Sequence, residues 1–150
     1  MVNFLDDPKI LKATDKSGML DVIRLFPESC ERAIEAINKT DLGKFEGKQF
    51  DNLVIVGMGG SAVGGLLLRD WLRPTTRIPL IVSRDYDLPA FVSKRSLVFC
   101  VSYSGNTEET IAALGDVLES GASIICFSSG GRIEQISSES GLTLDRKSVV

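Results

Sequence analysis

Residues 97–110 read LVFCVSYSGNTEET. An apolar run ends in Ser102, Ser104 and Thr107 within six residues, with Gly105 and Asn106 between them and two glutamates after. Hydroxyls at the tip of a buried strand, where a helix begins, suit an anion. The first helical amides lack partners, the helix dipole is positive there, and Ser and Thr donate to phosphate oxygens. A second turn of the same kind, GMGGS at 57–61, brings Gly60 and Ser61 to another helix start, and a third, SSGGR, covers 128–132. One such turn is weak, because Ser and Thr also serve as N-caps. Two turns from neighbouring strands point together to a phosphate.

Gly57-Met58-Gly59-Gly60-Ser61-Ala62 also satisfies G-x-G-x-x-G/A after a strand, the dinucleotide fingerprint. The acid that pattern requires could be Asp85, 28 residues after Gly57, and Arg84 beside it could suit a 2′-phosphate. A dinucleotide site has no need of a second hydroxyl cluster, whereas a phosphomonoester has three terminal oxygens to satisfy. The dinucleotide reading stands as the lesser alternative.

Other polar residues have plainer readings. Glu108 and Glu109 fall in a first helical turn, where acids are favoured, and Glu109 could close a capping box with Asn106. Tyr103 is read as packing, Trp71 as core or interface, Arg84-Asp85-Tyr86-Asp87 as a solvated turn, and Ser128 and Ser129 as caps. Arg132 could reach an anion. Histidine is absent, so acid–base chemistry within the chain falls to carboxylates, lysine or tyrosine. The three cysteines, Cys30, Cys100 and Cys126, form no CxxC and are read as buried reduced thiols, with no metal site expected.

The elements that must hold these turns follow from periodicity. Apolar runs at 53–57, 78–83, 96–102 and 122–129 are too short for helices and read as strands buried on both faces. Helical stretches at 61–72 and 107–121 separate them; Ile111, Leu114, Val117 and Leu118 share a face of the second. RIEQISSESG reads as a further short helix and LTLDRKSVV as a last edge strand. The alternation implies an α/β fold, a three-layer αβα doubly wound parallel sheet over 46–150. Residues 1–45 read as an N-terminal helical arm, with Pro27 in a first turn and Cys30, Ala33, Ile34 and Ile37 as its packing stripe. In such a sheet, ligands bind beyond the strands' carboxyl ends, where all three turns fall.

Apolar residues make up 43% of the chain and charged residues 25%, as in globular domains. A net charge of −3 argues against a general nucleic-acid surface. No run is long enough for a membrane span, and MVNFLDDPKI has neither the basic nor the apolar region of a secretory signal. A cytoplasmic location is expected.

GMGGSAVGG followed by SYSGNTEET resembles the sugar isomerase (SIS) domain, more narrowly the N-terminal half of the bifunctional phosphoglucose/phosphomannose isomerases. MLDVIRLFPES and SSGGRIEQI are similar to that family's opening helix and later turn. The resemblance implies a flavodoxin-like SIS domain that interconverts glucose 6-phosphate or mannose 6-phosphate with fructose 6-phosphate, without a cofactor. It implies phosphate contacts at Gly60, Ser61, Ser102, Ser104 and Thr107. The family opens the sugar ring with a histidine, moves a proton with a glutamate and stabilises charge with an arginine, in a chain of two SIS domains. Here the sequence ends at Val150, no residue matches those three, and Arg146 is no convincing substitute for the arginine. The expectation is a phosphosugar-binding SIS domain, catalytically incomplete alone, that forms a homodimer or associates with a second SIS domain. A non-enzymatic sugar-phosphate sensor is the alternative.

Overall fold

The computed structural model describes residues 6–146. Three helices come first: α1 (Pro8–Thr14), α2 (Met19–Arg24) and α3 (Phe26–Ile37). Then β1 (Asn52–Val56), α4 (Gly59–Leu72), β2 (Leu80–Ser83), β3 (Ser96–Val101), α5 (Glu108–Ser120), β4 (Ser123–Phe127), α6 (Gly131–Glu139) and β5 (Thr143–Asp145) alternate. The sheet is parallel throughout, in the order β2-β1-β3-β4-β5. This is the flavodoxin-like doubly wound order, with its switch point between β1 and β3.

The strands form where the apolar runs lie, because their residues are buried from both sides. Val54, Val56, Val98, Cys100, Ile124 and Cys126 make one face and meet Ala113, Leu114 and Val117 of α5 and Ile133 of α6. Leu88 and Val92, in the helix-free link from β2 to β3, pack against the same cluster. Ile55 points the other way, against Gly65 of α4; a Cβ on that glycine would come within 2.9 Å of the isoleucine side chain. α5 ends as expected at Gly121, whose φ of 71° is the left-handed cap that glycine provides.

Two expectations fail and a third is narrowed. The stripe read on α3 is out of phase: Ile34 is 59% exposed and Cys30 is exposed, while Ser29 is buried and Ala33, Ala36 and Ile37 are half-buried. The helix forms with Pro27 in its first turn, but turns a less apolar face inward. Trp71, read as core or interface, is 74% exposed, which excludes core and leaves interface. Tyr103 is 59% exposed rather than packed. The last strand is limited to Thr143–Asp145, and residues 147–150 lie outside the described residues.

Candidate phosphate site

The three turns meet at the carboxyl edge of the sheet because glycines let their backbones touch. A Cβ on Gly57 would stand 2.9 Å from the Val101 carbonyl oxygen, so the β1–α4 turn lies directly against the end of β3. Gly105, at φ +67°, lies so close to the β4–α6 turn that a Cβ there would fall 1.8 Å from the Gly130 carbonyl oxygen. Gly131, at φ +71°, approaches the Ser104 carbonyl oxygen in the same way, at 2.4 Å for a Cβ. No residue with a side chain fits either place.

The β3–α5 turn is tied across its own neck. Ser102, 1% exposed, has its Oγ 2.8 Å from Thr107 Oγ1, and the Gly105 amide donates to Ser102 Oγ at 3.2 Å. Ser104 is exposed, and its Oγ accepts from the Asn106 amide at 3.2 Å, which leaves its own hydroxyl proton for an outside acceptor. Gly60 and Ser61 occupy the first turn of α4. The structure therefore brings Ser102 and Thr107 into contact, with Ser104 at the same loop's surface and Gly60 and Ser61 on the adjoining turn.

The helix starts are not equivalent. Neither α4, entered from Met58, nor α5, entered from Thr107, has a side-chain cap bond. Thr107 Oγ1 turns to Ser102 instead, and the capping box between Asn106 and Glu109 does not form. The Asn106 side chain reaches across to α6, where its Oδ1 accepts from the Arg132 amide at 3.1 Å. The next amide of α6, Ile133, donates to the Gly105 carbonyl at 3.0 Å. The first turns of α4 and α5 thus keep the uncapped amides that suit an anion, while α6 has already spent two of its own. The SSGGR turn acts as a brace. Ser128 bonds within its own turn, to Gly130, and Ser129 donates to the Tyr103 carbonyl; neither caps α6. Sequence reading missed Gly105, Asn106 and Gly131 as site residues. Their signal was the paired SGN and SGG triplets, whose contact is not local.

Beside the turns a cavity of about 630 Å³ opens between α4 and the sheet, lined by Gly60, Ser61, Gly64, Phe99, Tyr103 and Phe127 among others. Its walls are mostly apolar, with hydroxyls toward the turns. Arg84 and Asp85 lie exposed past the end of β2. Arg146 pairs with Glu134 of α6 at 2.9 Å, an engagement at odds with a free catalytic arginine. Among the described residues no group of three or more His, Cys, Asp or Glu is placed to hold a metal ion.

Below the turns, Cys100 and Cys126 face each other across β3 and β4, both fully buried. The Cys100 thiol is held well above its ordinary value, first by its hydrogen bond with Cys126 and then by burial.

Comparison with known proteins agrees with this architecture. The chain is 42% identical over 123 residues to the bifunctional phosphoglucose/phosphomannose isomerase of Caldicellulosiruptor bescii, covering 82% of this chain and 36% of that one. It is 39% identical over 93 residues to the protein of that name from Aquifex aeolicus, covering 61% of this chain and 29% of that one. The chain thus spans about a third of the length of these curated relatives. Among solved structures, the Vibrio vulnificus NanR protein complexed with ManNAc-6P matches at TM-score 0.61 and 21% identity, over 89% of this chain and 53% of that one. The sugar isomerase domain of the RpiR transcription factor from Sphaerobacter thermophilus matches at TM-score 0.57 and 20% identity, over 82% and 73%. At those identities the two structures speak for the fold. The SIS domain family model matches residues 48–144, and the chain belongs to the SIS domain family.

Proposed function

We propose that this chain is the sugar-phosphate-binding SIS domain of a glucose-6-phosphate/mannose-6-phosphate isomerase. The phosphate of a hexose 6-phosphate docks on Gly60, Ser61, Ser102, Ser104 and Thr107, between the first turns of α4 and α5. The observation that carries this reading is the inequality of the three helix starts: the two flanking the hydroxyl cluster are uncapped, and the third is closed by Asn106 and Gly105. The isomerase relatives supply the substrate class. The sugar extends toward the cavity beside Ser61 and Tyr103.

The chain contains no histidine, so a ring-opening step that relies on one must recruit it from outside these 150 residues. Acting alone, the chain binds without turning over; histidine-dependent catalysis needs a second SIS domain, because another copy of this chain brings no histidine, though two copies can still associate. Val63, Leu67 and Trp71, spaced by four along α4 and 48%, 68% and 74% exposed, give such an association an apolar ridge. The same lack of histidine favours, as a second reading, a sugar-phosphate sensor of cytoplasmic pools.

A thermal-shift panel of glucose 6-phosphate, mannose 6-phosphate, fructose 6-phosphate, free phosphate and NAD(P) tests the proposal. A ligand at 100 times its Kd stabilises by about 2.7 kcal/mol, a rise of roughly 5–10 °C for this size. Sugar phosphates should give the rise and NAD(P) should not; a response to NAD(P) alone would return the reading to the dinucleotide fingerprint. Ser104→Ala with Thr107→Ala should abolish the rise. Isomerase turnover by the isolated chain would remove the sensor reading, and light scattering should show self-association.

A further inference from the structure

We infer that Asn106 is a positioning residue that joins the start of α6 to the phosphate turn, an inference that rests on the phosphate reading above. Its side-chain amide is oriented by two constraints that agree. The atom facing the Arg132 amide, at 3.1 Å, must be an acceptor and is Oδ1. The atom facing the Ser104 carbonyl, at 3.2 Å, must be a donor and is Nδ2. The Asn106 backbone amide also donates to Ser104 Oγ. One exposed residue therefore holds Ser104 at two atoms and α6 at a third.

Two consequences follow. Ser104 Oγ, already an acceptor from Asn106, is left with its O–H directed to an outside acceptor. Nδ2 has two hydrogens, and the Ser104 carbonyl takes one. The other is available to an anion on the turn. A carboxamide that accepts at its oxygen from a helix N-terminus becomes a stronger donor at its nitrogen, because hydrogen bonds in a chain polarise one another. The positive end of α6, closed to direct contact, reaches the phosphate through Asn106. Gly105 and Gly131 make this possible, since a side chain at either would hold the two turns apart.

The test uses the 150-residue chain, with fructose 6-phosphate and inorganic phosphate as probes. Asn106→Ala should weaken fructose 6-phosphate about five- to tenfold, the loss expected when a hydrogen-bonded partner is removed from a site. Ser129→Ala, which loosens the same pair of turns at the Tyr103 carbonyl but leaves Asn106 in place, should change affinity less than twofold; a brace of purely structural value predicts equal losses for both. Amide NMR adds a signature. The Arg132 amide should shift on phosphate binding in the parent chain and stay still in Asn106→Ala. An unchanged affinity in Asn106→Ala, an equal loss in Ser129→Ala, or a silent Arg132 amide overturns the inference. Ser104→Ala with Thr107→Ala separates it from the reading beneath. If that pair weakens binding and Asn106→Ala does not, only the positioning role falls. If that pair changes nothing, or if neither probe binds the parent chain, both fall.

Discussion

Ser102 Oγ and Thr107 Oγ1 lie 2.8 Å apart, one at the end of β3 and the other at the entry to α5, so a single hydroxyl pair closes the turn between them. Ser102 is buried and also receives the Gly105 amide. Ser102→Ala leaves the Thr107 hydroxyl short of a partner and the Gly105 amide with only its bond to the Ser102 backbone carbonyl, at 3.1 Å. The expected cost is about 1–2 kcal/mol of stability, together with weaker sugar-phosphate binding. Thr107→Ser keeps the hydroxyl and should keep both. Urea unfolding and calorimetric titration of the two variants check this.

Gly105→Ala and Gly115→Ala should move stability in opposite directions. Gly105 combines a positive φ with a carbonyl oxygen 1.8 Å from any Cβ, so alanine must push the β4–α6 turn away. A loss above roughly 2 kcal/mol is expected, as for strained backbone with overpacking. Gly115 sits inside α5, exposed, with nothing within 4 Å of a Cβ. Alanine there should add about 0.5–1 kcal/mol through helix propensity. Thermal midpoints of the two variants, measured side by side, give the signs.

Of three thiols, one should react in the native chain. Cys30 is exposed, whereas Cys100 and Cys126 are buried, and Cys100 is held in its unreactive thiol form by its partner and by burial. Titration with an aromatic disulfide reagent should report one equivalent in native buffer and three in denaturant. Cys30→Ser should leave the native chain silent.

Acid should weaken the fold through two named carboxylates. Asp51 is held below the usual carboxylate range, first by its hydrogen bonds with the Arg95 guanidinium, one at 2.6 Å, and then by that cation's charge. Asp15 is lowered by the amides of Leu20 and then Met19, both at 2.8 Å, which start α2. A depressed folded-state value means that the stabilisation is complete above the unfolded carboxylate value, near 4, and is lost as pH falls through the folded one. Asp51→Asn and Asp15→Asn should each flatten the acid limb of a plot of thermal midpoint against pH, with little effect of pH between 6 and 8. Asp51 is solvent-exposed, so its effect should shrink in high salt.

The parallel sheet was legible because its inner strands are covered on both faces, and continuous apolar runs such as LVIVG have few other folded uses. The candidate hydroxyl cluster was legible because it is local: Ser102, Ser104 and Thr107 lie within six residues, and one loop brings Ser102 and Thr107 into contact. What escaped was non-local. Asn106 and Glu109 have the spacing of a capping box, but Asn106 finds Arg132, 26 residues on, and the tertiary contact wins. The three helix starts look alike in sequence, and only the approach of Gly105 to Gly131 closes the third. On α3, two helical faces were available. The more apolar one, with Ile34, stays outside, and the one with Ser29, Ala33, Ala36 and Ile37 turns inward, a choice set by tertiary contact and not by the helix itself.

The helix-free link between β2 and β3 divides the binding edge. Residues before 84 contribute the GMGGS turn, and residues from 96 onward contribute SYSGNT. A backbone nicked in that link would leave each turn on a different piece, the two rejoined by the five-residue register of β1 on β3. A ligand touching both turns would then act as a staple between pieces, and its apparent affinity would rise with their concentration. Restored by mixing, such a split chain would report ligand through reassembly.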